Sequence, residues 1–219
     1  MKIAINCIFC QPRGGGIREY IYNVVSALSR IDKENEYILY VLKDCVGYAH
    51  NVLPNVPNMS IKSVPYDSSR MSLIMRSLFS RRYWLKEELE EQFDIFHSPF
   101  FHAPRLKHAK VIITVHDLRF CRYHSTYTLP RYLFLRTVVK NSIKQADAII
   151  TISAFTKCEI MDVYKVDAGK ITVIHEAINR EDFSNKNKKE YVLEDVAKPL
   201  EGKRFILSVG HIEPRKNYD

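Results

Sequence analysis

The chain has 219 residues, 46% hydrophobic and 26% charged, which are ordinary values for a globular protein. No apolar run approaches the ~18 residues that a membrane-spanning helix needs, and the N-terminus lacks the basic-then-apolar pattern of a signal peptide. We therefore expect a cytoplasmic protein. The formal net charge of +8 favours an anionic partner, such as a phosphate compound, a nucleic acid or an anionic membrane surface.

The five cysteines are irregularly spaced, which indicates free thiols in a reducing compartment. Cys7 and Cys10 formally match half of a redox or zinc motif. No second Cys/His pair at ligand spacing follows them, so we interpret the pair as structural and expect no bound metal. A redox or metal role is the alternative.

A strand, a glycine turn and a helix open the chain. Residues 2–10 read as a buried strand, and Gly14, Gly15 and Gly16 allow a tight turn that a ligand can approach closely. Apolar residues then recur every three or four positions over residues 17–31, which predicts an amphipathic helix. The N–H groups of this helix would point at the turn, so the site suits an anion or a polar ligand. Glycines that serve only the geometry of the turn are the alternative.

Strands and helices alternate up to residue 175. Predicted strands cover residues 37–42, 59–64, 94–97, 111–115, 148–152 and 171–175, and predicted helices cover 70–93, 130–143 and 155–164. This alternation predicts an α/β fold with a Rossmann-like, doubly wound and mostly parallel sheet. Residues 184–203 read as a linker, since they are rich in Asn, Lys and Glu, and residues 204–210 read as another buried strand. We expect a first domain over 1–183 and the start of a second domain over 204–219.

Much of the positive charge lies in two segments. The helix predicted from residue 70 carries Arg70, Arg76, Arg81 and Arg82 beside an aromatic pair, and such a helix can lie on anionic lipid. Solvated arginines on a helix with a core-facing apolar side are the alternative. Residues 118–146 form the second segment, which contains six Arg or Lys residues and no Asp or Glu.

Ligands of open parallel sheets lie beyond the carboxyl ends of the strands. The residues predicted at those ends include Gly14 to Gly16, Ser98, His116, Asp117, Ser153 and Glu176. If the sheet is parallel, these residues meet at one edge, which is therefore the predicted site. His116 is the strongest candidate for polar recognition of a substrate. A histidine at the end of an interior strand can hydrogen-bond a substrate hydroxyl, and a hydrogen bond to a loop carbonyl is the alternative. We interpret His97, His102 and His175 as structural.

Spacing argues against several other sites at this edge. The Gly-x4-Gly-Lys-Ser/Thr pattern of a P-loop is absent, and so is the Gly-x-Ser-x-Gly elbow of a hydrolase. Glu19 stands where a dinucleotide fingerprint has its third glycine, and Asp44 comes too far after the turn to bind a ribose. Binding of NAD is therefore disfavoured. The chain also shows no recognisable nucleic-acid motif, so we expect no nucleic-acid partner.

Five motifs follow one another along the chain. They are the glycine turn with its aliphatic-Arg-aromatic helix start, the strand that ends in His116 and Asp117, residues 150–157, residues 173–178, and Val209-Gly210 with Glu213-Pro214-Arg215-Lys216-Asn217. In this order they resemble family 4 of the retaining glycosyltransferases. The resemblance covers nearly the whole chain and implies one half of the two-domain GT-B architecture.

The resemblance implies transfer of a hexose or deoxyhexose, as in a mannosyltransferase, from a nucleotide sugar with retention and without a metal or other cofactor. The acceptor would be a glycan or a lipid-linked molecule in the synthesis of cell-surface polysaccharide or lipopolysaccharide, with peripheral contact at the inner face of the membrane. The glycine turn would lie near the donor phosphates and the acceptor, and His116 would contact the transferred sugar. Arg215 and Lys216 would hold the donor diphosphate.

The sequence departs from the family pattern in two places. Ala177 stands after Glu176 where the family usually has glycine, and the Glu-x7-Glu motif of the family would lie beyond Asp219. We therefore predict that this chain presents the acceptor half, binds nucleotide sugar weakly and turns over poorly alone. A non-enzymatic module that binds an anionic glycan or lipid is the alternative.

Overall fold

The computed structural model describes residues 1–177, with only the backbone of residues 70–80, together with residues 203, 204, 206 and 208. The chain divides into two units, Met1–Ala177 and Ile178–Asp219, and the helices and strands described below belong to the first. The predicted linker and the predicted diphosphate ligands Arg215 and Lys216 lie outside the described residues.

Strands and helices alternate along the first unit, except that the fifth strand follows the fourth with no helix between them. The strands are β1 (Lys2–Asn6), β2 (Glu36–Leu42), β3 (Met59–Val64), β4 (Ile95–Ser98), β5 (Lys110–Val115), β6 (Ala148–Thr151) and β7 (Ile171–Val173). The helices are α1 (Gly15–Ile31), α2 (Val46–Val52), α3 (Arg70–Glu91), α4 (Arg119–Arg122), α5 (Leu129–Gln145) and α6 (Ala154–Tyr164). The strands form one sheet in the order β3-β2-β1-β4-β5-β6-β7, and all pairs are parallel. The predicted Rossmann-like α/β fold is confirmed.

Helix α2 was not predicted, because residues 46–52 lack a helical apolar repeat and include Gly47, which weakens a helix by about 1 kcal/mol relative to Ala. Packing of Ala49 and Leu53 in the core holds this segment. The strand predicted up to His175 ends at Val173. Helix α3 ends two residues earlier than predicted, at Glu91, and Gln92 follows with a positive φ of 51°.

Both faces of the sheet are covered by apolar side chains. Along β2, Tyr37, Leu39 and Val41 belong to one cluster, which also contains residues of α1 and α2. The alternate residues of the same strand, including Ile38 and Tyr40, belong to the other cluster. The strand is therefore buried on both sides, as its continuous apolar run predicts.

The second half of α3 packs against the sheet through an aromatic side chain. The indole of Trp84 is 5% exposed, and its centroid lies 4.9 Å from the ring of Tyr40 and 4.8 Å from that of Phe96. The suggestion that the aromatic pair beside the basic residues faces lipid is therefore wrong for Trp84, which is core. Arg81 and Arg82 are exposed, whereas the side chains of Arg70 and Arg76 lie outside the described part of the helix.

Two consecutive carboxylates of α3, Glu87 and Glu88, are buried. The hydroxyl of Tyr40 donates a hydrogen bond of 2.8 Å to Glu87 Oε2, and Lys62 Nζ lies 2.6 Å from the same oxygen. Lys62 Nζ also contacts Glu91 Oε1 at 2.8 Å. The Lys62 side chain of β3 therefore links the C-terminal end of α3 to the sheet.

The carboxylate of Glu88 binds the loop that leads into β5. It accepts hydrogen bonds of 2.7 to 3.1 Å from the backbone N–H groups of Lys107, His108 and Ala109. Burial alone would raise the pKa of Glu88, but the backbone donors outweigh burial and hold this pKa below its ordinary value. Helix α3 is thus also anchored at the amino end of the strand that carries His116.

Candidate functional site

The carboxyl ends of the parallel strands meet at one edge of the sheet. The strand order reverses between β1 and β4, which are hydrogen-bonded neighbours, and such a reversal opens a crevice in which ligands of this fold class bind. The loops after these two strands touch across the crevice, since the rings of Phe9 and Phe100 pack edge to face at 4.7 Å. The loop after β1 leads into the glycine turn.

Two of the three turn glycines have a structural reason. A Cβ at Gly14 would collide with the carbonyl oxygen of Phe9 and would lie 2.6 Å from Cβ of Arg18. Gly15 has a positive φ of 59°, which side chains rarely adopt. A Cβ at Gly16 would meet nothing within 4 Å. Packing and backbone conformation thus explain Gly14 and Gly15, and the open space at Gly16 leaves room for a ligand.

His116 follows β5 and is held from two sides. Its Nδ1 lies 3.0 Å from Glu176 Oε1, and its Nε2 lies 3.0 Å from the carbonyl oxygen of Pro99. The ring packs edge to face against Tyr20 of α1, with centroids 4.7 Å apart. Both oxygen atoms are acceptors, so both hydrogen bonds form together only when both ring nitrogens carry protons. The side chain is 18% exposed, on an edge that solvent and ligand can reach.

A second polar chain lies behind His116. The hydroxyl of Tyr20 is 3.3 Å from Thr114 Oγ1, which is 3.0 Å from Nε2 of the buried His97. Burial, together with the nearby charge of His116, lowers the pKa of His97 to about 4. His97 is therefore neutral at pH 7. It is buried behind His116 and supports the site through Thr114 rather than facing a ligand.

Three other predicted site residues are engaged with nearby backbone groups. Ser98 Oγ donates a hydrogen bond of 2.6 Å to the carbonyl oxygen of His102. Asp117 Oδ1 accepts from the N–H of Arg119 at 3.0 Å, and Ser153 Oγ caps α6 by accepting from the N–H of Thr156 at 3.1 Å. These contacts account for the side chains locally, and their roles in ligand binding stay predictions. Of the predicted residues, the structure joins His116 and Glu176 directly.

Sequence reasoning missed four residues that support or line this edge. They are Asn6, Tyr20, Thr114 and Thr151. Asn6 Oδ1 and Thr151 Oγ1, at the carboxyl ends of β1 and β6, are buried without a hydrogen-bond partner in the described structure. Both residues could have been identified from the sequence, because each is a polar residue at the end of an apolar strand. Tyr20 gave no such signal, because its spacing fits the apolar face of α1.

The described residues contain no group of three or more His, Cys, Asp and Glu side chains that could hold a metal ion. Cys7 and Cys10 are free and buried. Burial, with a smaller contribution from Cys45, raises the pKa of Cys10 to about 11, and burial also raises the pKa of Cys7. Both thiols are therefore protonated at neutral pH, which favours the structural interpretation over a redox or metal role.

Comparison with known proteins gives one family. A family model described as Glycosyltransferase Family 4 matches residues 14–182. The O-antigen chain mannosyltransferase RfbU of Salmonella typhimurium is 26% identical over 211 residues, which are 93% of this chain and 53% of that protein. The O-antigen chain mannosyltransferase B of Escherichia coli is 25% identical over 138 residues, which are 63% of this chain and 35% of that protein.

The fold also matches solved structures. A candidate UDP-N-acetylglucosamine 2-epimerase from Listeria monocytogenes superposes with a TM-score of 0.51 at 13% identity, over 78% of this chain and 44% of that one, which shows a common fold. The chain spans about half of RfbU and about a third of the Escherichia coli protein. In the part of the chain that the structure describes, no helix is long and apolar enough to cross a membrane.

Proposed function

Because this chain belongs to Glycosyltransferase Family 4, we propose that it forms the acceptor-binding half of a retaining glycosyltransferase that uses a nucleotide sugar. Both curated relatives are named O-antigen chain mannosyltransferases, which supports mannose as the transferred sugar and a lipopolysaccharide glycan or its lipid-linked precursor as the acceptor. A second domain would bind the nucleotide and close the cleft from the other side. The chain alone would bind the donor weakly and turn over poorly.

The pair of His116 and Glu176 is the observation that carries this proposal. Almost half of the Glu176 side chain is exposed, so a ligand can reach the contact between its carboxylate and Nδ1. A sugar hydroxyl both donates and accepts, so one hydroxyl can enter this contact, accept from Nδ1–H and donate to the carboxylate. The second bond, to the carbonyl oxygen of Pro99, would hold the imidazole in place during the exchange.

The reaction would break the bond between the anomeric carbon and the diphosphate oxygen. The same carbon would form a bond to the oxygen of an acceptor hydroxyl, whose proton would pass to the departing diphosphate. The nucleoside diphosphate leaves with negative charge, and we assign Arg215 and Lys216 to stabilise it in place of a metal ion. The open space at Gly16 and the N-terminus of α1 would adjoin the donor phosphates and the acceptor.

The arginines of α3 give a second part of the proposal, and two of them, Arg81 and Arg82, are exposed in the described part of the helix. Arg70, Arg76, Arg81 and Arg82 would meet an anionic membrane surface or the phosphate of a lipid-linked acceptor. Flotation with vesicles tests this, and we expect stronger binding to phosphatidylglycerol than to phosphatidylcholine. Equal binding to neutral and anionic vesicles would contradict it.

The reading frame of the gene past residue 219 is the first test of the enzyme itself. A continuation that encodes a strand–helix domain with a Glu-x7-Glu motif supports the proposal, and a stop codon at that point supports a non-enzymatic binding module. The second test measures sugar transfer by the full-length product from a panel of nucleotide sugars to a lipid-linked acceptor. We expect activity with a mannose donor, and no activity with any donor would overturn the proposal.

Variants connect this activity to the site. We expect His116→Ala to lower kcat/KM by about 100-fold, the typical effect of removing one donor from a preorganised site. Glu176→Gln keeps the shape but weakens the acceptor, and we expect a loss of about tenfold in kcat/KM. Glu90→Gln on the exposed face of α3 is the matched control for charge. Full activity of both site variants would refute the roles of these two residues.

A further inference from the structure

A groove between α5 and α6 lies outside the site described above. Its cavity volume is about 440 Å³, and its lining includes the cations Arg136, Lys140 and Lys144 and the rings of Tyr132 and Tyr164. No Asp or Glu lines it, although Asp162 precedes one of its lining residues in α6. Helix α5 leaves the carboxyl edge of the sheet and ends at the amino edge, so the groove runs down the side of the domain.

The three cations follow one face of α5. They are spaced four residues apart, so successive Cα atoms are about 6 Å apart along the helix axis. None of the three side chains makes an ion pair or a hydrogen bond with another residue in the described part of the chain. Lys144 is in the last turn, where a cation is favoured by the helix dipole, but Arg136 and Lys140 lie in the middle of the helix.

Unpaired like charges at this spacing cost stability. Like charges four residues apart on a helix destabilise it, and no ion pair in the described part of the chain offsets the repulsion between Arg136 and Lys140. An anion placed between the two side chains would reverse the sign of this interaction. The guanidinium of Arg136 can also hold two oxygens of a phosphate at once.

Positive charge continues beyond the groove. A second cavity of about 750 Å³ shares Lys144 with the first and is also lined by Arg81, Arg105 and Lys107. Its single acid, Asp147, already pairs with Lys110 at 2.9 Å. The potential along this side of the domain is therefore positive over two adjoining cavities, which favours the approach of anions.

We propose that the groove between α5 and α6 binds a phosphate ester. Arg136 and Lys140 contact the phosphate oxygens, and the organic part of the ligand packs on the rings of Tyr132 and Tyr164. A volume of about 440 Å³ exceeds that of a lone phosphate and suits a phosphate with a small organic group. The ligand is either a soluble phosphate ester or a phospholipid headgroup, which present the same chemistry. The site is separate from the His116 edge and does not depend on transferase activity.

Two probes and two variants test this site. Glycerol 3-phosphate in calorimetric titrations represents the soluble source, and phosphatidylglycerol vesicles in flotation represent the lipid source. Arg136→Gln/Lys140→Gln removes two groove charges, and Arg30→Gln/Lys33→Gln removes two exposed charges at the end of α1 as the matched control. A cooperative denaturation transition in each variant, at a midpoint no lower than that of the wild-type protein, confirms that the fold is retained.

We expect the groove variant to bind at least one probe tenfold more weakly than the wild-type protein and the control variant. A loss with glycerol 3-phosphate indicates a soluble ligand, and a loss with vesicles alone indicates a headgroup; either result supports the site. Equal weakening in both variants would show a non-specific effect of net charge and overturn the proposal. Binding of neither probe by the wild-type protein would overturn it as well.

Discussion

Replacement of Glu88 tests how α3 is held to the rest of the domain. Glu88 is 3% exposed, and its carboxylate accepts hydrogen bonds from three consecutive backbone N–H groups. Glu88→Gln keeps the shape and one carbonyl oxygen, but it removes the charge and turns an NH2 group towards one of these donors. Glu88→Ala removes the acceptor altogether.

The size of the effect follows from the three donors. The N–H of Ala109 belongs to a buried residue, so loss of its acceptor costs about 1 to 3 kcal/mol. Lys107 and His108 are exposed residues whose hydrogen bonds to Glu88 are only partly buried, and we count about 0.5 to 1 kcal/mol for each. We therefore expect Glu88→Ala to lower the free energy of unfolding by about 2 to 5 kcal/mol, and Glu88→Gln by about half as much.

The pH dependence separates charge from shape. The pKa of Glu88 is lowered in the folded state, so its contribution is complete above the pKa of the unfolded chain, about 4.3. It is lost as the pH falls through the lower folded-state pKa. Urea denaturation from pH 7 to pH 3 should thus show a difference between the wild-type protein and Glu88→Gln that shrinks below about pH 4.

The control for Glu88 lies on the same helix. Glu90 forms a surface ion pair with Lys86, and we expect Glu90→Gln to change the free energy of unfolding by no more than about 0.5 kcal/mol. A similar loss in Glu88→Gln and Glu90→Gln would refute the reasoning, because the effect would then be one of net charge. A difference for Glu88→Gln that stays constant down to pH 3 would refute it too.

Three further predictions concern single side chains. The ring of His97 should show no NMR titration above about pH 5, and stability should fall as the pH drops from about 6.5 towards 4, because the unfolded chain takes up a proton there that folded His97 does not. Ser153→Ala should cost about 1 kcal/mol in thermal unfolding through loss of the α6 cap. A thiol reagent should label the exposed Cys158 in the native protein and the buried Cys10 only after unfolding.

The sheet could be predicted because its signals are local. Continuous apolar runs identify strands that are buried on both faces, and their alternation with helical repeats predicts parallel pairing. Helix α2 escaped prediction since its existence depends on the packing of Ala49 and Leu53 rather than on periodicity. Trp84 was misjudged for a related reason: its arginine neighbours are exposed, while the indole packs on Tyr40, 44 positions earlier in the chain.

The location of the site at the carboxyl edge of the sheet could be predicted, but the contacts between its side chains could not. Parallel strands bring their carboxyl ends together, so the position of His116 at this edge follows from the fold. Its contact with Glu176 spans 60 positions of sequence, and no local pattern indicates it. Tyr20 was interpreted as part of the apolar core. A tyrosine at this helical spacing is equally compatible with a core position and with a hydroxyl that supports the site, because its ring is apolar and its tip is polar.

The three partners of His116 are synthesised at different times. The imidazole meets Tyr20, the carbonyl of Pro99 and the carboxylate of Glu176, which are made early, midway and last as the first unit is synthesised. Tyr20 in α1 and Pro99 in the loop after β4 both precede β6 in the sequence, whereas Glu176 follows β7. The carboxylate arrives only when β7 has paired with β6, so the last strand of the sheet completes the polar pair as well as the fold.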